Sequence, residues 1–162
     1  MDEQAVKKPK LVVAGASGFI GTAVCQELVK HYDVVVLTRS RARSQMVNPS
    51  IPISWLFCDL FSRHDVENAL AGSEYVVYLV HVRMPTARLD QSHSDDINLL
   101  LADNFARAAQ INNVRQIVFF GGMISEENIS SKILESDNEV LTTLSSYNVP
   151  VTSVRAGIVT GP

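Results

Sequence analysis

Short runs of β-branched and aliphatic residues alternate along the chain with longer stretches whose apolar positions recur every three or four residues. "KLVVAG" (10–15), "DVVVLTR" (33–39), "ISWLFCD" (53–59), "EYVVYLV" (74–80), "RQIVFF" (115–120) and "VPVTSVRA" (149–156) read as six strands. Their near-continuous apolar character predicts strands buried on both faces. Residues 19–31 predict a helix with Ile20, Val24 and Leu28 in one apolar row. "SRHD" (62–65) has the form of a capping box for a short helix running to about Leu70. Residues 94–112 predict a long helix, with Leu100 and Ala108, and Ile97, Leu101 and Phe105, in apolar rows; Ser131–Ser146 predicts the next. The segment "SRARSQMVNPSIP" (40–52) is polar, holds two prolines near its end and supports at most a short helix.

Buried strands alternating with helices predict a parallel sheet covered on both faces, with right-handed crossovers. The expected fold is α/β: a three-layer, doubly wound Rossmann fold with a parallel sheet of about six strands, in one domain over residues 1–162.

Composition narrows the function. The chain has 162 residues, 46% of them hydrophobic, enough for one domain with a sizeable core. A formal net charge of −3 and the lack of a basic run argue against a nucleic-acid partner. Cys25 and Cys58 each lie in an apolar segment and are expected to be reduced core thiols. His31, His64, His81 and His93 show no metal-ligand spacing with them, so no metal is expected. With no signal peptide and no apolar stretch long enough to span a membrane, the expected setting is cytoplasmic, with no membrane partner.

The chemistry concentrates in "LVVAGASGFIGTAV" (11–24), where Gly15, Gly18 and Gly21 are spaced by three. A buried strand precedes them and a helix follows, the arrangement in which helix amides face a pyrophosphate. Gly15 serves the tight turn, Gly18 the backbone approach to phosphate, and Gly21 close helix packing. Ser17 can add a hydroxyl. The plainer alternative is a strand–helix turn that uses glycine for packing only.

An acid about 20 residues on reads the ribose of NAD. Asp33 is 18 residues after Gly15, but it opens the second strand, whereas ligands bind beyond the carboxyl ends. That end is Thr38-Arg39-Ser40-Arg41 and holds no acid. Guanidinium geometry suits a 2′-phosphate, so NADP is expected over NAD, with NAD possible; Arg39 and Arg41 are otherwise solvated loop charges. Asp59, ending the third strand beside Leu60, can accept from the adenine amino group or cap the following helix. Val80 and His81 are expected beside ribose and phosphates. His81 is an acid–base candidate, and a hydrogen-bonded wall residue is its plainer role. The loop 82–93, with Arg83 and Arg88, is expected to rim the substrate side.

"VVAGASGFIG", "VVLTRS", "CDLFS", "VVYLVH" and "LLLADNFARAAQINNVRQIVFFGGMI" together resemble the extended and atypical short-chain dehydrogenase/reductases, above all the NAD-dependent epimerase/dehydratase-like branch. The resemblance spans roughly residues 9–162. It implies a nicotinamide dinucleotide held by Gly15, Ser17, Gly18, Phe19, Ile20, Arg39, Asp59, Leu60, Val80 and His81. Asn104 matches a helix asparagine that mainly holds the fold.

The family's catalytic pair does not carry over. Active members use Tyr-x-x-x-Lys, in which the lysine lowers the tyrosine pKa. Of Tyr32, Tyr75, Tyr78 and Tyr147, none has a lysine four residues later. The pair would fall near Ser131 and Glu135. The usual serines after the fifth strand are Gly121-Gly122, a turn expected close to the nicotinamide. Ser125, Ser130 and Lys132 lie off the pattern, so the catalytic residues are unknown. Family members continue past "RAGIVTGP" into a smaller substrate-binding region, which is expected to be missing from this piece. The leading expectation is the NADP(H)-binding domain of an oxidoreductase or epimerase-like enzyme acting on an unknown small molecule. The alternatives are a non-catalytic NADP(H) redox sensor, and a flavin or biliverdin-type reductase.

Overall fold

The computed structural model describes residues 7–45, 52–82, 88–122 and 132–157. Its elements run β1 (Lys10–Ala14), α1 (Phe19–Leu28), β2 (Asp33–Thr38), α2 (Arg41–Ser44), β3 (Ile53–Phe57), α3 (Arg63–Ala69), β4 (Tyr75–Tyr78), α4 (Arg88–Ile111), β5 (Gln116–Gly122), α5 (Lys132–Leu144) and β6 (Val151–Ala156). The strands form one sheet in the order β3-β2-β1-β4-β5-β6. Every pairing is parallel. This is the doubly wound Rossmann arrangement predicted above, with its topological switch between β1 and β4.

Strand alternation sorts β1 between two cores. Leu11 and Val13 join Val34, Val36, Cys25 and Ala16 on one face of the sheet. Val12 and Ala14 join Val76, Tyr78, Ile117, Phe119 and the inner residues of α3, α4 and α5 on the other. Each fully buried aliphatic side chain contributes about 1.5–3 kcal/mol of transfer free energy, which anchors these layers.

The inner strands are buried as expected, but the two edges are not. Leu56 of β3 is 38% exposed and Val154 of β6 is 43% exposed. In each edge strand one set of alternate side chains is left open, because no neighbouring element of the described residues covers it.

Helix faces also differ in detail from the apolar rows. The buried positions of α1 are Gly21 and Cys25, with Ile20, Val24 and Leu28 only half-buried. Helix α1 stops at Leu28 rather than residue 31, because the chain turns there to enter β2. In α4, Leu101 and Phe105 are buried as expected, whereas Leu100 is 44% exposed. This helix begins at Arg88, not residue 94; its first turns, "RLDQSHSDD", are too polar to show an apolar period. The expected rim loop 82–93 is shortened accordingly, and Arg83 lies outside the described residues.

Ser62 caps α3 as predicted, its hydroxyl accepting from the Asp65 amide at 3.2 Å. Gly121 and Gly122 form no turn. They are the last residues of β5, in register with Arg155 and Ala156 of β6. Among the described residues no helix is long and apolar enough to cross a membrane, and no three His, Cys, Asp or Glu side chains gather as metal ligands.

Candidate functional site

The carboxyl ends of β1, β2 and β4 open onto a cleft of about 440 Å³. Gly15, Ser17, Thr38, Arg39, Leu60, Val80 and His81 line it, together with Cys58, Phe61, Val82, Ile97 and Leu101. Its size suits a small-molecule or cofactor site, and its position at the switch point is where doubly wound sheets bind ligands.

The glycine turn forms one wall. Gly15 has φ +87°, a conformation that side chains strain to adopt. A Cβ there would come within 2.6 Å of the Leu79 carbonyl, so β1 approaches the end of β4 with no room to spare. Gly18 is the N-cap of α1 and makes no side-chain cap hydrogen bond. Nothing lies within 4 Å of the position a Cβ would take at Gly18, and the first-turn amides of a helix have no acceptor within the helix itself. Gly21 packs α1 onto the backbone of Ala16 in the turn, rather than onto the sheet itself. Phe19 is 52% exposed and Ile20 half-buried; neither lines the cleft.

Two arginines expected together have separated. Arg39 lines the cleft. Arg41 opens α2, and its guanidinium lies 4.2 Å from the centroid of the Phe57 ring, a cation–π contact at the edge of the sheet. Ser40, between them, caps α2 by accepting from the Arg43 amide. Asp59 does not line the cleft. Its Oδ1 accepts the Phe61 amide at 3.0 Å, closing the turn before α3. Its neighbours Cys58 and Leu60 do line the cleft. Burial, then the carboxylates of Asp65 and Asp59, push the Cys58 thiol up to about 12, so it is an inert wall.

Three side chains hold the walls in place. Asn104, 2% exposed, donates to the Leu60 and Phe61 carbonyls and accepts from Arg63 Nε. It matches the holding role that the family resemblance implies. Asn98 and Asp137 carried no expectation. Asn98 clamps the backbone of Val82 after β4 through two hydrogen bonds. Asp137, on α5, pairs with His81 at 3.1 Å. Both left a signal in the sequence: each is a polar residue on an otherwise apolar helix face, Asn98 with Leu101 and Phe105, Asp137 with Val140 and Leu144. His81 also stacks on Phe119, at 6.0 Å between ring centroids. Gly121 lies beside this group, its Cβ position 3.3 Å from Asp137 Oδ2. The residues of the expected tyrosine–lysine region before Lys132 lie outside the described residues.

Over residues 11–153 the chain matches the family model described as the NAD dependent epimerase/dehydratase family. The chain belongs to this family. Its members are NAD(P)-binding, oxidoreductase- or epimerase-like proteins. A relative is the auxiliary protein GraX of Staphylococcus aureus, 28% identical over 144 residues, 89% of this chain and 43% of GraX. Among solved structures, a nucleoside-diphosphate-sugar epimerase from Staphylococcus aureus is similar with a TM-score of 0.71 at 20% identity, over 90% of this chain and 50% of that one. The Citrobacter sp. triphenylmethane reductase complexed with NADP(H) is similar with a TM-score of 0.71 at 17% identity, over 90% and 48%. At such identities these two structures share the family's fold. The chain spans about half the length, or less, of the relatives it matches.

Proposed function

We propose that this chain holds NADP(H), in preference to NAD(H), as the cofactor-binding part of an oxidoreductase or epimerase-like protein acting on a small molecule. The observation that carries the cofactor choice is Arg39, which lines the cleft at the carboxyl end of β2, with no acid among Thr38–Arg41. A guanidinium there suits a 2′-phosphate and offers nothing to a free 2′-hydroxyl that a carboxylate would not do better. The first turn of α1 suits the pyrophosphate, Gly15 and Ser17 its near side, and Val80 and His81 the second ribose. When bound, the nicotinamide supplies hydride chemistry; this chain contributes position, shielding and electrostatics.

Titration with NADPH and NADH tests the reading. NADPH is expected to bind about tenfold more tightly, and Arg39→Ala to erase that difference. Equal affinities in the unaltered protein overturn the NADP assignment, and no binding of either overturns the dinucleotide reading.

The second reading is a non-catalytic NADP(H)-binding regulator. It is favoured by the missing Tyr-x-x-x-Lys pair and by the similarity to a protein named as auxiliary. Oxidation of NADPH with carbonyl, quinone and flavin acceptors separates the two. Turnover with any of them supports the enzyme, and silence with all three, despite firm NADPH binding, supports the regulator.

A further inference from the structure

We infer that Phe61 holds the adenine of the dinucleotide, stacking on the face of the base rather than bonding to its edge. This role rests on the dinucleotide reading above and deepens it.

Apolar side chains scattered singly over a surface are ordinary. Phe61 differs in where it stands. Among the described residues six large hydrophobics are left exposed, and of these Phe61 alone lines the cleft. It is 48% exposed, yet the backbone that carries it is tied on both sides. Asp59 Oδ1 accepts the Phe61 amide at 3.0 Å, and the buried Asn104 donates to the Phe61 carbonyl at 3.3 Å. The Ser62 amide donates to the Asp59 carbonyl at 3.0 Å and closes the turn. An aromatic ring on a backbone already ordered in this way offers a flat apolar surface at low entropic cost to a planar ligand.

The sheet brings this ring to the adenosine end of the cleft. Strands β2 and β3 are neighbours: Thr38 pairs with Phe57, and the Cys58 amide donates to the Thr38 carbonyl at 2.9 Å. The two chains leave the sheet side by side, one into Arg39 and the other into the turn that holds Phe61. In a doubly wound sheet the dinucleotide crosses the switch point with its adenosine half toward the end of β2. Strand β3 lies outside β2, so Phe61 stands at that half.

The chemistry divides accordingly. Arg39 offers charge to a 2′-phosphate, and Phe61 with Leu60 offers apolar surface to a base. Asp59, the residue that would read the adenine amino group, does not line the cleft and accepts the Phe61 amide instead. The base is thus gripped by its face, and stacking tolerates a change at its edge because every base has a π-face.

Titrations with 2′,5′-ADP, NADPH, NADH and the NADPH analogue carrying hypoxanthine in place of adenine test this. Phe61→Ala is expected to weaken all four about tenfold. It is expected to leave the ratio of NADPH to NADH affinity unchanged, whereas Arg39→Ala acts on that ratio. Phe61→Tyr, which keeps the ring, is expected to restore binding to within about threefold of the unaltered protein, and the hypoxanthine analogue to bind the unaltered protein within about threefold of NADPH. In NMR spectra of the complex with 2′,5′-ADP, the Phe61 ring protons are expected to contact the C2 or C8 proton of the base. A ring that only props the turn would make no such contact.

Unchanged affinities in Phe61→Ala overturn the proposal, and so does a bound complex in which the Phe61 ring makes no contact with the base. A loss greater than about threefold with hypoxanthine overturns the face-on grip. Should Phe61→Ala not fold, the NMR contacts and the hypoxanthine titration of the unaltered protein decide. Failure of the unaltered protein to bind NADPH and NADH overturns the dinucleotide reading itself, and this proposal with it.

Discussion

Asn98 of α4 satisfies both backbone polar groups of Val82: its Oδ1 accepts the Val82 amide at 2.8 Å, and its Nδ2 donates to the Val82 carbonyl at 3.2 Å. Asn98 is only 8% exposed, so these bonds are made where water competes poorly. They tie the chain leaving β4, and with it the wall of the cleft, to the long helix behind. Asn98→Ala is expected to cost about 2 kcal/mol of stability and to raise amide exchange at Val82. Urea unfolding and hydrogen exchange measure the two effects. Unchanged protection at Val82 would show that the clamp is dispensable.

Gly15 offers a sharper test of the close approach between β1 and β4. Its φ of +87° and the 2.6 Å separation between a built Cβ and the Leu79 carbonyl act together. Gly15→Ala is expected to lower stability by about 2 kcal/mol or more and to weaken dinucleotide binding. Thermal unfolding and a binding titration check both; a neutral substitution would mean that the strand ends sit farther apart.

Tyr78 is fully buried between Phe105 and Phe119, and its hydroxyl has no hydrogen-bond partner among the described residues. Burial pushes the phenol well above its ordinary range. Tyr78→Phe removes a polar atom and keeps the ring packing. It is expected to leave stability unchanged or raise it by up to about 1 kcal/mol in chemical denaturation. A clear loss of stability would reveal a bond that the hydroxyl makes.

The two cysteines predict a dependence on alkaline pH. Burial raises Cys25 from 9.0 to about 11 and is the main cause that raises Cys58 from 9.0 to about 12. Above the ordinary thiol range the unfolded chain loses these protons first and so binds fewer of them than the native state. Stability therefore falls with rising pH. The thiol contribution is expected to be intact below pH 9 and to erode as pH rises toward 11 and 12. Unfolding free energies across that interval measure it. Below it, alkylation of the native thiols is expected to be far slower than in denaturant, and equal rates would contradict their burial.

Much of this molecule was legible in one dimension. The six strands, the parallel α/β class and the glycine turn all follow from near neighbours, because strand burial, helix period and turn geometry are written in short spans of sequence. Ser62 could be named as a cap for the same reason, since its partner is three residues away. The rows of α1 and α4 were harder: periodicity marks a stripe, but which residues of the stripe touch the sheet depends on how the helix is docked. Hence Leu100 faces outward while Asn98 faces in.

The site divides along the same line. The sequence by itself determined a glycine-rich strand-to-helix turn from Gly15 to Gly18 and an arginine at the end of β2, because each belongs to a single strand-to-helix junction. Only the tertiary structure decided that Arg39 stays in the cleft while Arg41 lies over Phe57. It alone decided that Asp59 turns to its own loop and that His81 meets Asp137 from 56 residues away. These outcomes rest on how distant elements pack, and a parallel sheet brings its strand ends together only after every crossover has closed.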